Sequence, residues 1–174
     1  MIKKMSMLVL IVIGCLTGAV VGESEEKVPL KVKTSATNLF ILGDANIGVE
    51  KYYGKTLSMI STIHYIPNYK DESNQDTYLF KHPDYRLTFG VRAYFPNWAK
   101  IQPETGFGKF FSLDMGLNGV DDKIIPSMEL WIGNSKKISP VIYSEFAFGI
   151  GRLFEKNSLG DVSPLVSLSL GYLF

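Results

Sequence analysis

Beyond residue 30, polar and apolar residues alternate one by one through most of the chain. The clearest run is Tyr85-Arg-Leu-Thr-Phe-Gly-Val-Arg-Ala-Tyr-Phe95. Tyr85, Leu87, Phe89, Val91, Ala93 and Phe95 share one parity; Arg86, Thr88, Gly90, Arg92 and Tyr94 share the other. Side chains of a strand point alternately to its two faces, so this spacing predicts a strand between an apolar and a polar environment. Ile142, Phe146, Phe148 and Ile150 repeat the pattern against Tyr143, Glu145, Ala147, Gly149 and Gly151, and Met128, Leu130 and Ile132 repeat it against Ser127, Glu129 and Trp131. In the last ten residues Val166, Leu168, Leu170, Tyr172 and Phe174 oppose Ser167, Ser169 and Gly171. Reading for this period predicts eight strands, over 31–42, 45–53, 55–66, 84–95, 107–118, 125–133, 138–153 and 163–174.

Turn chemistry partitions the chain in the same way. Tyr53-Gly-Lys55 and Gly133-Asn-Ser-Lys136 read as tight connections built from residues that accept positive φ. Residues 67–83 and 157–161 are polar and unpatterned and read as exposed loops. In a barrel whose short and long connections alternate, the stretch 96–106 should be short, yet it is long and contains Pro96, Asn97 and Trp98. Two explanations stand: it packs across the barrel mouth, or the strand count slips there.

The start of the chain differs in kind. Lys3 and Lys4 precede the apolar run Met7–Ile13, small residues continue to Gly22, and Glu23-Ser-Glu-Glu-Lys27 turns abruptly polar. These are the parts of a cleaved export signal over 1–22, followed by a short polar segment, 23–30. The apolar stretch is near the lower limit for crossing about 30 Å of hydrocarbon, which disfavours a permanent anchor. Val12-Ile-Gly-Cys15 also has the form of a lipidation site, but the apolar run continues past Cys15. Cleavage after Gly22 would remove the chain's single cysteine, and with it any disulfide or cysteine metal site.

Removing that leader, which holds Lys3 and Lys4, leaves 16 basic and 17 acidic residues from the 18 and 17 of the full chain. A near-neutral single domain over 31–174 shows no basic surplus for nucleic acid and no charge block suited to an interaction tail. Aromatics are frequent, with eleven Phe, nine Tyr and two Trp. Trp98, Tyr52, Tyr53, Tyr65, Tyr85, Phe95, Tyr172 and Phe174 lie near predicted strand ends, as a membrane-interface girdle requires.

With the export signal and eight alternating strands, the ending Leu168-Ser-Leu-Gly-Tyr-Leu-Phe174 resembles the C-terminal assembly signal of bacterial outer-membrane β-barrels. In that signal Leu168, Leu170, Tyr172 and Phe174 are the alternating apolar residues. Over 31–174 the chain resembles the small barrels of the OmpA-transmembrane-domain and OmpX type. Val32-Lys-Thr34, Asn38-Leu39, Gly48-Val-Glu50 and Phe89–Phe95 are also similar to small barrel proteins common in Bacteroidetes. The resemblance implies an all-β, antiparallel, up-and-down eight-stranded transmembrane barrel in the bacterial outer membrane. It implies surrounding lipid and lipopolysaccharide, and the Bam assembly machinery as a transient partner. It supplies no substrate.

On the inward parity the sequence collects Arg86, Arg92, Asp114, Glu129, Glu145 and Glu50. An eight-stranded barrel is narrow enough for side chains to fill, and buried charges must be paired. These residues therefore predict a structural plug of ion pairs, in which the planar forks of the arginines bind several carboxylates. Four acids face two arginines, so Lys33 or a protonated carboxylate should balance the set. Of the two histidines, His64 falls near the outer end of the third strand and His82 in Lys81-His-Pro-Asp84. His82, Asp84 and a loop serine such as Ser73 can be combined on paper into a hydrolytic set, but nothing in their spacing requires it. Two separated histidines form no usual zinc site, Asp121-Asp122 reads as a solvated loop, and no phosphate-cradling glycine loop precedes a helix. No cofactor, metal or enzymatic activity is expected.

The reading that follows is a non-enzymatic integral outer-membrane barrel with a structural or surface-interaction role and outer loops as contact sites, above all residues 67–83. The alternatives are a narrow channel for small solutes and an exported lipocalin-like ligand-binding barrel.

Overall fold

The computed structural model describes residues 30–41, 44–53, 56–65, 85–95, 106–120, 123–154 and 162–174. The predicted signal segment 1–22, the polar segment 23–29 and the loops 67–83 and 157–161 lie outside the described residues, as do Cys15, Ser73, His82, Asp84, Trp98, Asp121 and Asp122. Eight strands form one closed antiparallel barrel in sequence order: β1 Leu30–Ser35, β2 Ala45–Tyr52, β3 Leu57–Tyr65, β4 Tyr85–Tyr94, β5 Gly108–Val120, β6 Lys123–Lys137, β7 Ile142–Leu153 and β8 Val162–Leu173. A short helix, α1, spans Ala36–Ile41.

β1 closes the barrel against β8, with Lys31 opposite Leu173 and Ser35 opposite Ser169. Two further backbone bonds, Phe174 N–H to Leu30 carbonyl at 3.0 Å and the reverse at 3.4 Å, finish the seam at the lower rim. The registers also give the stagger. Stepping across the wall from Lys31 passes through Glu50, Ile60, Gly90, Asp114, Glu129, Gly151 and Ser163. Continuing the β8–β1 register from Ser163 returns to β1 at position 41, ten residues beyond the start. Strands of a staggered barrel lean, so each neighbour stands higher around the wall and β1 must climb furthest to meet β8.

The faces follow the parity of the sequence. On β4, Tyr85, Phe89, Val91 and Phe95 are exposed while Thr88, Gly90, Arg92 and Tyr94 are buried; Leu87 is buried although it shares the outward parity. On β8, Val166, Leu168, Leu170, Tyr172 and Phe174 point outward and Ser169 is buried. Met115 and Ile132, at 62% and 66% exposure, lie in a wall of outward apolar side chains, whereas Glu50 and Lys31 inside are at 0%.

Three expectations are corrected. The first strand ends at Ser35 rather than 42. Ser-Ala-Thr-Asn there is a helix-starting sequence, a capping residue followed by the best helix former, and local preference wins where β2 no longer flanks the chain. Gly133-Asn-Ser-Lys136 is not a turn: β6 runs straight through it, because the Phe110 ring fills the space above Gly133. The reversal comes at Ile138-Ser-Pro-Val141, where Ser139 Oγ accepts the Ile142 amide at 3.0 Å and Pro140 cannot continue a ladder. Nor do long and short connections alternate strictly, since β5 and β6 are joined at the upper rim by residues 121–122 alone. The strand count does not slip at 96–106: Gly106, the last residue of that stretch, and the following Phe107 pack into the lower mouth.

Candidate functional site: a charged lumen

The interior is stacked in three tiers, each supplied by several strands. At the lower mouth, Tyr52, Tyr94 and Phe110 form the buried apolar cluster, with Tyr143 also fully enclosed. Lys31 rises among them. Its ammonium donates to the Gly106 carbonyl and to Ser135 Oγ at 3.1 Å. It also stands 4.1 Å from the Phe107 ring centre, 4.5 Å from Tyr143, 5.3 Å from Tyr94 and 5.4 Å from Tyr52. An ammonium held against several ring faces is attracted by their quadrupoles, which offsets part of its desolvation without a carboxylate. Tyr52 Oη donates to the same Gly106 carbonyl at 3.2 Å. Gly106 itself has φ +80°, and a Cβ there would run into the Tyr52 ring. The chain can enter the mouth here because the residue is glycine.

The middle tier is an ionic knot. Arg92 Nη1 lies 2.6 Å from Glu145 Oε2 and 3.3 Å from Glu50 Oε2, and its guanidinium stacks 3.9 Å from the Phe110 ring centre. Lys33 pairs with the other oxygen of Glu145. Glu50 also accepts the Tyr94 hydroxyl at 2.8 Å and that of Ser58. Two carboxylates and two cations thus pair with one another and hydroxyls fill further lone pairs, although Arg92 Nε has no partner among the described residues; pairing of this kind is what lets buried charge be tolerated. Asp114 accepts a hydrogen bond from Ser112, and Gly90 opposite leaves room for its carboxylate.

In the upper tier Arg86 is partly exposed and its partner Glu129 is buried. Arg86 meets Glu129 at 2.9 Å, and the Trp131 indole donates to Glu129 at 3.0 Å. Asn118 donates to Ser127 Oγ at 2.8 Å and to the Ile125 carbonyl. His64 Nδ1 lies 2.7 Å from Asp44 Oδ2, both buried.

All six sequence-derived lumen residues stand inside the barrel, but in separate groups. Arg92, Glu50 and Glu145 meet, Arg86 and Glu129 meet below the upper mouth, and Asp114 stands in no ion pair among the described residues. Lys33 joins as the charge count requires. Sequence reasoning missed Lys31, which shares parity with Lys33 and was therefore findable from β1 alone. It also missed Asp44–His64, which joins the residue just before β2 to β3. Tyr52 is corrected from the interface girdle to the lumen floor; Tyr53, Tyr65, Tyr85, Phe95, Tyr172 and Phe174 are exposed. Leu168, Leu170, Tyr172 and Phe174 form one outward row on β8, with the Tyr172 and Phe174 rings edge to face at 4.8 Å.

As chemistry, the lumen is a set of charges paired mainly with one another, with Asp114 held by a hydroxyl instead. Among the described residues no three potential metal ligands cluster, and no hydroxyl hydrogen-bonds His64 to make a nucleophile.

No family model matches the chain, and no curated protein matches it. Among solved structures, the chain is similar to the crystal structure of Neisserial surface protein A, at 13% identity and a TM-score of 0.43, over 87% of this chain and all of that one.

Proposed function

We propose that this chain is an integral protein of a bacterial outer membrane, exported through its leader, with a plugged lumen and a non-enzymatic role in envelope structure or surface contact. The observation that carries the reading is the inversion of polarity across the wall. Ile47, Met59, Val91, Met115, Ile132, Phe148 and Val166 are exposed on the outside, while Glu50, Arg92, Glu145 and Lys31 are buried within. In water that arrangement exposes apolar surface and desolvates charge at once; in lipid the outer face is at home and the strands pair their backbone polar groups around a closed barrel. A lipocalin-like cavity for an apolar ligand needs the opposite lining. The knot of Arg92 with Glu50 and Glu145 crosses the axis above a floor of aromatic rings, which favours a plug over an open channel.

On this reading the rim bearing Leu30 and Phe174 faces the periplasm, and the opposite rim carries the segment 67–83 as the candidate contact loop. Leu168, Leu170, Tyr172 and Phe174 are the residues offered to the Bam machinery, and lipopolysaccharide surrounds the outer half. Cell fractionation with a gel of unboiled and boiled samples tests location: an outer-membrane fraction and a heat-modifiable band are expected, and release by osmotic shock would refute it. Planar-bilayer recording should show no conductance steps. Deleting 67–83 should preserve the heat-modifiable band while abolishing surface contacts; loss of folding would count against the assignment.

A further inference from the structure

The β1–β8 ladder stops short of the upper rim. β8 runs from Val162 to Leu173, but β1 stands opposite only its lower part, from Ser169 downward. The register would place residues 36–42 against Val162–Leu168, yet 36–41 form α1. Seven residues of strand extend about 23 Å, whereas a six-residue helix climbs about 9 Å. The helix cannot replace the missing strand in length or in hydrogen bonding. The one bond between them that the described residues show runs from the Leu168 amide to Thr37 Oγ1, at 2.9 Å. Because backbone groups alternate sides along a strand, Val166 and Pro164 present theirs to the same seam, and Pro164 has no N–H to offer. The missing donor and the helix lying across the edge both oppose the addition of another strand.

Behind the gap lies a polar cluster. Ser35 N–H donates to Asn46 Oδ1 at 2.7 Å, and Asn46 Nδ2 donates to the Asp44 carbonyl at 3.0 Å. Asp44 holds His64, and Ser167 Oγ lies 3.3 Å from Ser35 Oγ and 3.1 Å from Ser169 Oγ. In front lie exposed apolar groups: Leu39 and Phe40 on α1, and Val162, Val166 and Leu168 on β8. Apolar groups in front of hydroxyl, amide and imidazole groups match one chemistry, that of an acyl chain ending in a hydrogen-bonding head.

We propose that the β1–β8 seam is a lateral port. Through it an acyl-chain amphiphile of the surrounding membrane sets its polar end against Ser35, Asn46, His64 and Ser167, with α1 as the strap across the opening. The inference rests on the outer-membrane reading above. A strap joined to β8, among the described residues, by the Leu168–Thr37 hydrogen bond can open without disturbing the ladders of the lower seam, where β1 and β8 pair from Lys31 to Ser35.

The probe is a lysophospholipid with a diazirine beside its head group, added to the full chain carrying Cys15→Ser and folded in detergent micelles. Adduct positions are read by mass spectrometry after irradiation. Adducts are expected on lumen-facing Asn46, His64 and Ser167 as well as on the outer belt. The pair Ser35→Cys/Ser167→Cys, whose hydroxyls already lie 3.3 Å apart, should form a disulfide that removes the lumen adducts, and reduction should restore them. Thr37→Val, which removes the bond to Leu168, should raise lumen labelling about fivefold, the weight of one net hydrogen bond in a two-state equilibrium. Labelling confined to the belt, or unchanged by both variants, would overturn the port. A dimer cross-link lost on oxidation would overturn it in favour of a second copy at the edge. In every variant the heat-modifiable band reports the barrel separately, so its loss in the parent chain refutes the outer-membrane reading rather than the port.

Discussion

Arg92 on β4 and Glu145 on β7 meet at 2.6 Å across the barrel, although their strands are not neighbours in the wall. The contact is a spoke, tying opposite sides of the cylinder at mid-height, and Glu50 and Lys33 extend it to β2 and β1. Ladders hold the wall together; the spokes decide what fills it.

Removing one member of the knot should therefore cost more than any surface ion pair. Glu145→Gln leaves both Arg92 and Lys33 without their shared carboxylate, and a loss of about 3–5 kcal/mol is expected. Glu50→Gln should cost less, because the Ser58 and Tyr94 hydroxyls can still bond an amide oxygen. Urea unfolding in detergent, followed by the heat-modifiable shift, ranks the two. Equal losses would mean that Lys33 contributes nothing to the knot.

Charge placed on the outer wall should be penalised by depth. Met115→Arg, near the middle of β5, should cost about 2–4 kcal/mol, and Ile124→Arg, at the upper end of β6, about 0–1. The same unfolding assay in lipid reads both. Were the exterior bathed in water, both substitutions would fall within about 0.5 kcal/mol of the parent.

The lumen should be intolerant of added volume at Gly90. A methyl group there runs into the Asp114 carboxylate, so Gly90→Ala should destabilise by about 1–3 kcal/mol. Adding Asp114→Ala should recover part of that loss. A strictly additive double variant would show that the two positions do not meet.

At the floor, Gly106→Ala faces two separate obstacles, a left-handed backbone and the Tyr52 ring, and should cost about 1–3 kcal/mol. Tyr52→Ala in that background should relieve the collision and leave the backbone strain. Complete recovery would mean that φ at Gly106 carries no penalty.

How much of this was legible follows from the range over which each feature is determined. A strand turns its side chains over every residue, so the run from Tyr85 to Phe95 alone was enough to place Arg86 and Arg92 inside and Phe89 and Val91 outside. The same period-two logic placed Glu50, Asp114, Glu129 and Glu145 in the lumen and Phe174 on the outer row. Pairing was not legible. Which inward residues meet depends on the ten-residue stagger, a property of all eight registers together, and it brings Arg92 to Glu145 while leaving Arg86 to Glu129. Closure also decided the fate of residues 36–41. The alternation suggested a strand, but β2 has ended beside them, and a segment with a ladder on only one side follows its own helical preference. The sequence by itself determined the faces of the strands, because that information repeats within two residues. Only the closed barrel decided partners, floor and seam, because those contacts join strands far apart in the chain.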